Sequence, residues 1–208
     1  MGAKDWMVVY ADGDVRPVLQ AAPPIDRDET RALVRRLYPS RRVVEIEDGS
    51  LFEANPPQDQ LLAGCFPGLT VICTADAALD RPSTLDQRFL DEGKGRTVIL
   101  QAMHSVVDWF AYALWTPDGA LTRSLSLSPD NGVIENIGDP LPFEAPFWAG
   151  ERPVDPEDDE DAYPLPFHPL ELAEAALRSL FGFTYEGDYE PDDPDLEAVV
   201  LAGFRIQY

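Results

Sequence analysis

Residues Thr97–Trp115 read TVILQAMHSVVDWFAYALW. Both ends are rich in β-branched and aromatic side chains, which suit a pleated, buried surface. A single strand through the whole segment would far exceed the usual length of about 5–6 residues. The chain therefore reverses near His104–Asp108, leaving two strands, Thr97–Met103 and Trp109–Trp115, side by side and antiparallel. Downstream, Pro117-Asp118-Gly119 is a turn, because proline presets φ and glycine accepts a positive one. Leu121–Leu127 then alternates Leu121, Arg123, Leu125 and Leu127 with Thr122, Ser124 and Ser126, the pattern of a half-exposed strand. Val133–Ile137 adds one more. Consecutive strands joined by short turns make a meander.

Working back toward the start, Leu69–Cys73 (LTVIC) and Trp6–Tyr10 (WMVVY) are short apolar runs of the buried-strand type, the latter closed by Asp12-Gly13-Asp14. Val43–Ile46 is a brief strand ending at Asp48-Gly49, and Val199–Ile206 returns as a last one. Two helices stand out. After Pro23-Pro24, Asp26 and Glu29 have capping-box spacing, Leu33, Val34 and Leu37 form an apolar stripe, and Tyr38-Pro39 ends the turn series. Pro169 occupies a first helical position, Gly182 a stop, and Leu170, Ala173, Leu177 and Leu180 make the expected buried stripe, with Glu174 and Arg178 as an i,i+4 pair. Thr84–Leu90 is a shorter helix halted by Gly93, and Pro140–Trp148 is expected to lie as a packed irregular segment. The fold class is α+β: a mainly antiparallel sheet with two principal packed helices, in a single domain spanning 1–208.

Charge is unevenly placed. The chain carries 16 Lys+Arg against 38 Asp+Glu, a net −22. Acidic loops at 151–161 and 186–197 hold seven acids each, with Arg152 the one base between them. Like charges repel, so both are expected to be solvated and extended. A field of this sign disfavours phosphate backbones and anionic membrane surfaces, so nucleic acid and membrane are excluded as partners. A basic protein is the partner that complements it. Arg27–Arg42 runs the other way, with six arginines against two acids. Arg27, Arg31 and Arg35 share one helix face, and with Arg36 they form a candidate anion- or partner-binding set. Their expected partners are the protein's own acidic segments, since guanidinium groups pair bidentately with carboxylates.

The two cysteines, Cys65 and Cys73, fit buried thiols in a reducing compartment rather than a disulfide framework. No basic-led apolar run opens the chain, and no apolar run reaches the ~18 residues of a membrane span. A cytoplasmic location is the expectation.

Chemistry-bearing motifs are sparse. His104 and Asp108 flank the proposed reversal, where Asp108 would orient the imidazole for general-base work or half of a metal site. His168 precedes a helix start, and it joins them as a candidate polar site if the fold brings the two histidines together. Ser105 lacks the glycine-flanked elbow of a serine hydrolase. The acidic clusters lack EF-hand spacing, and Gly93-Lys94-Gly95 is too short for a phosphate loop. No metal site, cofactor or catalytic set is assigned. The expected function is a non-enzymatic acidic protein that recognises a basic partner, with a small hydrolase or metal-assisted enzyme built on His104 and Asp108 as the alternative.

Five segments carry a resemblance: Met1–Met7 (MGAKDWM) with Tyr10–Asp14 (YADGD), Ala63–Gly68 (AGCFPG), Ala102–Phe110 (AMHSVVDWF), Arg123–Pro129 (RSLSLSP) and Pro164–Leu172 (PLPFHPLEL). Across nearly its whole length the chain resembles members of an uncharacterised actinobacterial family, a domain of unknown function. The resemblance implies a bacterial, cytoplasmic setting and no activity.

Overall fold

Among the described residues, all strands join one sheet. The computed structural model describes residues 3–154 and 163–207. Its strands are β1 (Lys4–Ala11), β2 (Arg42–Ser50), β3 (Gln60–Phe66), β4 (Leu69–Thr74), β5 (Thr97–His104), β6 (Trp109–Trp115), β7 (Leu121–Ser128), β8 (Gly132–Ile137) and β9 (Val200–Gln207). They lie in the order β2-β9-β3-β4-β1-β5-β6-β7-β8, and each neighbouring pair is antiparallel. The expected meander is β5 to β8. The reversal between β5 and β6 is a short 3-10 turn, Ser105–Val107, closed by Asp108 at φ 46°. A non-glycine residue in this left-handed region is uncommon, and aspartate is among those that tolerate it best.

Helices cover both sides. The helices are α1 (Arg16–Ala21), α2 (Arg27–Leu37), α3 (Gln87–Glu92), α4 (Ala145–Trp148) and α5 (Pro169–Phe181). The two-residue period of β1 shows the arrangement: Met7, Val9 and Ala11 enter one core with α1, α4 and α5, while Trp6, Val8 and Tyr10 enter a second with α2 and α3. The sheet is thus the middle of three layers, which is why its inner strands read as continuous apolar runs. No helix among the described residues is long and apolar enough to cross a membrane.

The half-exposed reading of β7 is corrected by this layering. Ser124 and Ser126 are fully buried. The 3-10 turn Pro82–Thr84 crosses them, tied down by Glu135, which accepts hydrogen bonds from Ser83 N, Ser83 Oγ and Ser124 Oγ. On the other face Arg123 and Glu144 form an ion pair with both side chains at 0% exposure, 2.6 Å from Nη2 to Oε2. Tyr112 Oη, Trp148 Nε1 and Leu141 N also donate to Glu144. Burial alone would raise the Glu144 carboxyl, but these donors outweigh it and hold the group below its ordinary value. The network fixes the segment expected to be irregular, which contains α4.

The two long helices begin as their sequences indicate. Asp26 caps α2 by accepting Glu29 N at 2.9 Å, and Thr30 Oγ1 then accepts Cys65 N, joining α2 to β3. At α5, His168 is the cap and Gly182 the stop, at φ 79°. An added Cβ there would lie 2.5 Å from Arg16 Cγ, so both conformation and space call for glycine. The buried face of α5 is rotated from expectation. Leu172, Ala173, Ala176, Leu177 and Phe181 are buried, whereas Leu170 and Leu180 are only partly so. Glu174 and Arg178 do not pair. Arg178 turns to the loop after the helix, where it binds Asp193 through both oxygens and the Asp188 carbonyl. Part of the acidic loop 186–197 is therefore held against the body instead of standing free. Of the other acidic loop, residues 155–161 lie outside the described residues.

Candidate functional site

Three adjoining depressions run around the end of the molecule where α5, the loop 186–197 and the start of β1 meet. The first, about 680 Å³, lies beside the N-terminal half of α5. Its floor is apolar (Met103, Phe143, Phe147, Leu170) and its rim carries Glu171, Glu174, Glu186 and Asp188, with Arg152 as the opposing charge. The second, about 610 Å³, shares Ala3 and Glu186 with the first and adds Phe52, Glu53 and Glu197. The third, about 350 Å³, shares Phe52 and Glu197 with the second and adds Tyr189, Asp193 and Asp195. Together they form one groove with eight carboxylates and two bases, Arg152 and Lys4. Phe52 and Tyr189 project from it, 57% and 75% exposed.

The groove's carboxylates are placed by backbone geometry. Glu174, on α5, accepts Tyr185 N at 2.9 Å and Glu186 N at 3.1 Å, so it pins the chain as it leaves the helix. Burial pushes its carboxyl above the ordinary value; the two amides oppose this, and the charge of Glu186 adds to it. Glu186 in turn accepts Ala3 N at 2.9 Å, bridging the loop to the first strand.

Behind the floor lies a polar pair the sequence reading missed. Asp5 and Gln101 are fully buried, and none of their four side-chain polar atoms has a hydrogen-bond partner. Asp5 stands opposite Met103, and Met7 stands between Gln101 and Cys73 across the sheet. Burial pushes the Asp5 carboxyl up to about 8, and the charge of Glu174 pushes the same way. The Met103 backbone and the Gln101 side chain approach closely enough to pull it down somewhat, without closing a hydrogen bond. The signal was available, since Asp5 has the strand phase of Met7 and Val9 and so belongs to a buried face.

The histidine set is divided. His168 caps α5 by accepting Leu170 N at Nδ1, 3.3 Å, and stacks on Tyr163. Its Nε2 lies 3.7 Å from Asp108, so the carboxylate expected to orient His104 faces His168. His104 belongs to the other side of the sheet, packed on Trp6, with Nδ1 accepting Val106 N at 3.2 Å. Among the described residues no hydrogen bond or ion pair joins His104 to Asp108. Burial, and then the charge of Lys4, hold the His104 imidazole below its ordinary pKa.

The arginine face of α2 is largely spent within the fold. Arg27 pairs with Asp48, Arg31 with Glu45 and Asp28, and Arg36 with Glu29 and Glu92. These partners come from β2, α2 and α3, not from the acid-rich loops; for Arg35 no ion pair stands among those described. In the loop itself, Glu190, Asp192 and Asp193 bring three carboxylates within 4.8 Å of one another. The guanidinium of Arg178 already supplies that cluster's counter-charge.

The chain belongs to the Family of unknown function (DUF6928), which it matches over residues 5–204. No curated protein and no solved structure matches it.

Proposed function

We propose that this member of the family is a binding protein whose groove takes a basic, extended segment of a partner protein. The observation that carries the reading is the continuity of the three depressions, eight carboxylates on an apolar floor with two exposed aromatic anchors. Arginine and lysine suit such a surface in two ways. Their aliphatic stems pack on Met103, Phe143 and Leu170, while their charged heads meet Glu171, Glu174 and Glu186. Aromatic side chains such as Phe52 and Tyr189 are enriched at interface cores, and tyrosine is among the residues that carry most binding energy there. Charge of one sign on one surface accelerates encounter and rejects acidic competitors.

The hydrolytic alternative draws less from the geometry. General-base work by His104 needs an orienting carboxylate, and the only carboxylate of that pair contacts His168 across the sheet.

A direct test is titration with a labelled extended peptide of alternating arginine and leucine, followed by fluorescence anisotropy. Saturable binding is expected, at least ~ten-fold weaker when salt is raised from about 0.05 M to 0.5 M, because screening shortens the reach of exposed charges. An otherwise identical peptide with glutamate for arginine is expected not to bind. Equal binding of both peptides would overturn the reading.

A further inference from the structure

We propose a second, separate ligand site on the opposite side of the sheet, built to hold a small alkylated ammonium cation. The pocket is about 340 Å³ and lies at the end of the sheet where β1, β5 and β6 meet the loops after β4 and β7. Trp6 and Trp109 form its aromatic corner, with ring centroids 6.3 Å apart and planes inclined at 53°. The His104 ring stands 5.9 Å from Trp6, inclined at 49°. Both indoles are more than nine-tenths buried, and both line this pocket. Asp80 and Asp130, both exposed, supply negative charge on the lining.

Inclined aromatic faces and nearby carboxylates attract cations, through the ring quadrupole and through Coulomb energy respectively. Trp6 already demonstrates the first of these, since the Lys4 ammonium sits 5.0 Å from its ring centroid. The form of the cation follows from where the charges stand. A primary ammonium needs several acceptors close around its three N–H groups. Here the buried lining is Trp6, Trp109 and Ser128, whose hydroxyl is the one buried polar side chain among the lining residues, while both carboxylates belong to exposed residues. A methylated ammonium spreads its charge over carbon and needs aromatic surface with counter-charge at longer range, which is what this pocket offers. His104, held toward its neutral form by burial and by Lys4, adds no charge, so the one cation beside the corner is Lys4, set against the two carboxylates of the lining.

The site is independent of the groove, so its test is too. The protein has four tryptophans, giving four indole N–H signals by NMR. Titration with tetramethylammonium is expected to move the Trp6 and Trp109 signals saturably and leave Trp115 and Trp148 in place. The neutral isostere tert-butanol is expected to act at least ~ten-fold more weakly, as is methylammonium. The double variant Asp80→Asn/Asp130→Asn changes only exposed side chains and is expected to weaken tetramethylammonium about ten-fold. Equal shifts from tert-butanol, unsaturable shifts spread over all four indoles, or saturable binding of a neutral monosaccharide in preference to the cation would each overturn the proposal.

Discussion

At Asp5 a carboxyl is enclosed with neither oxygen hydrogen-bonded, and its pKa rises from 3.8 to about 8. The unfolded chain loses this proton near the ordinary value, while the folded protein keeps it to about pH 8. Unfolding therefore releases a proton between those limits, and stability falls as pH rises through that window. The loss expected from this group is on the order of 5 kcal/mol between pH 4 and pH 8. Asp5→Asn is expected to abolish most of that slope, leaving a smaller one from Glu174, whose pKa is shifted the same way. Denaturant midpoints at several pH values check this, and an Asn variant retaining the full slope would contradict it. A carboxylate in the buried phase of a strand is visible in sequence as soon as β1 is extended back to Lys4. That it is buried beside Gln101 with no hydrogen bond closed is not visible, because Gln101 comes from a different strand. The same limit applied to Arg123, whose face was legible but whose partner Glu144 lies 21 residues away in a loop.

Among the elements, α5 shows what periodicity reveals and what it leaves open. The proline entry and the glycine exit were plain in sequence. The face was not, because leucine and alanine occur almost all round this helix, and the sheet selected Leu172 and Ala176 over Leu170 and Leu180. The choice frees Glu174 and Arg178 from each other, and each then secures a piece of the following chain. Arg178→Ala is accordingly expected to release the loop 186–197. Amide exchange there should rise at least ~ten-fold while β1 and β5 stay protected, as local openings do. Exchange unchanged in the loop would show that Arg178 does not hold it. The half-exposed assignment of β7 failed for a related reason. Serines alternating with leucines signal a wet face only where nothing crosses the sheet, and the turn Pro82–Thr84 crosses this one.

For the whole molecule, the antiparallel sheet was legible because its turns carry proline, glycine and aspartate and its inner strands are short apolar runs. The second helical layer was less so, since both long helices are amphipathic in the same manner and nothing in sequence says which side of the sheet each takes. Charge was legible in amount but not in arrangement. The groove gathers carboxylates from α5, the turn after β2 and the loop before β9, and only folding makes them neighbours. Its binding role depends on that arrangement and not on the net −22 alone. The decisive measurement compares two variants that remove the same charge from different places. Glu171→Gln/Glu186→Gln removes two of the groove's eight carboxylates, and Asp91→Asn/Asp118→Asn removes two acids outside its lining. Calorimetric titration of the arginine–leucine peptide is expected to weaken about ten-fold or more in the first and less than ~two-fold in the second. Equal weakening in both would mean that the peptide senses only overall charge, and the groove would lose its role.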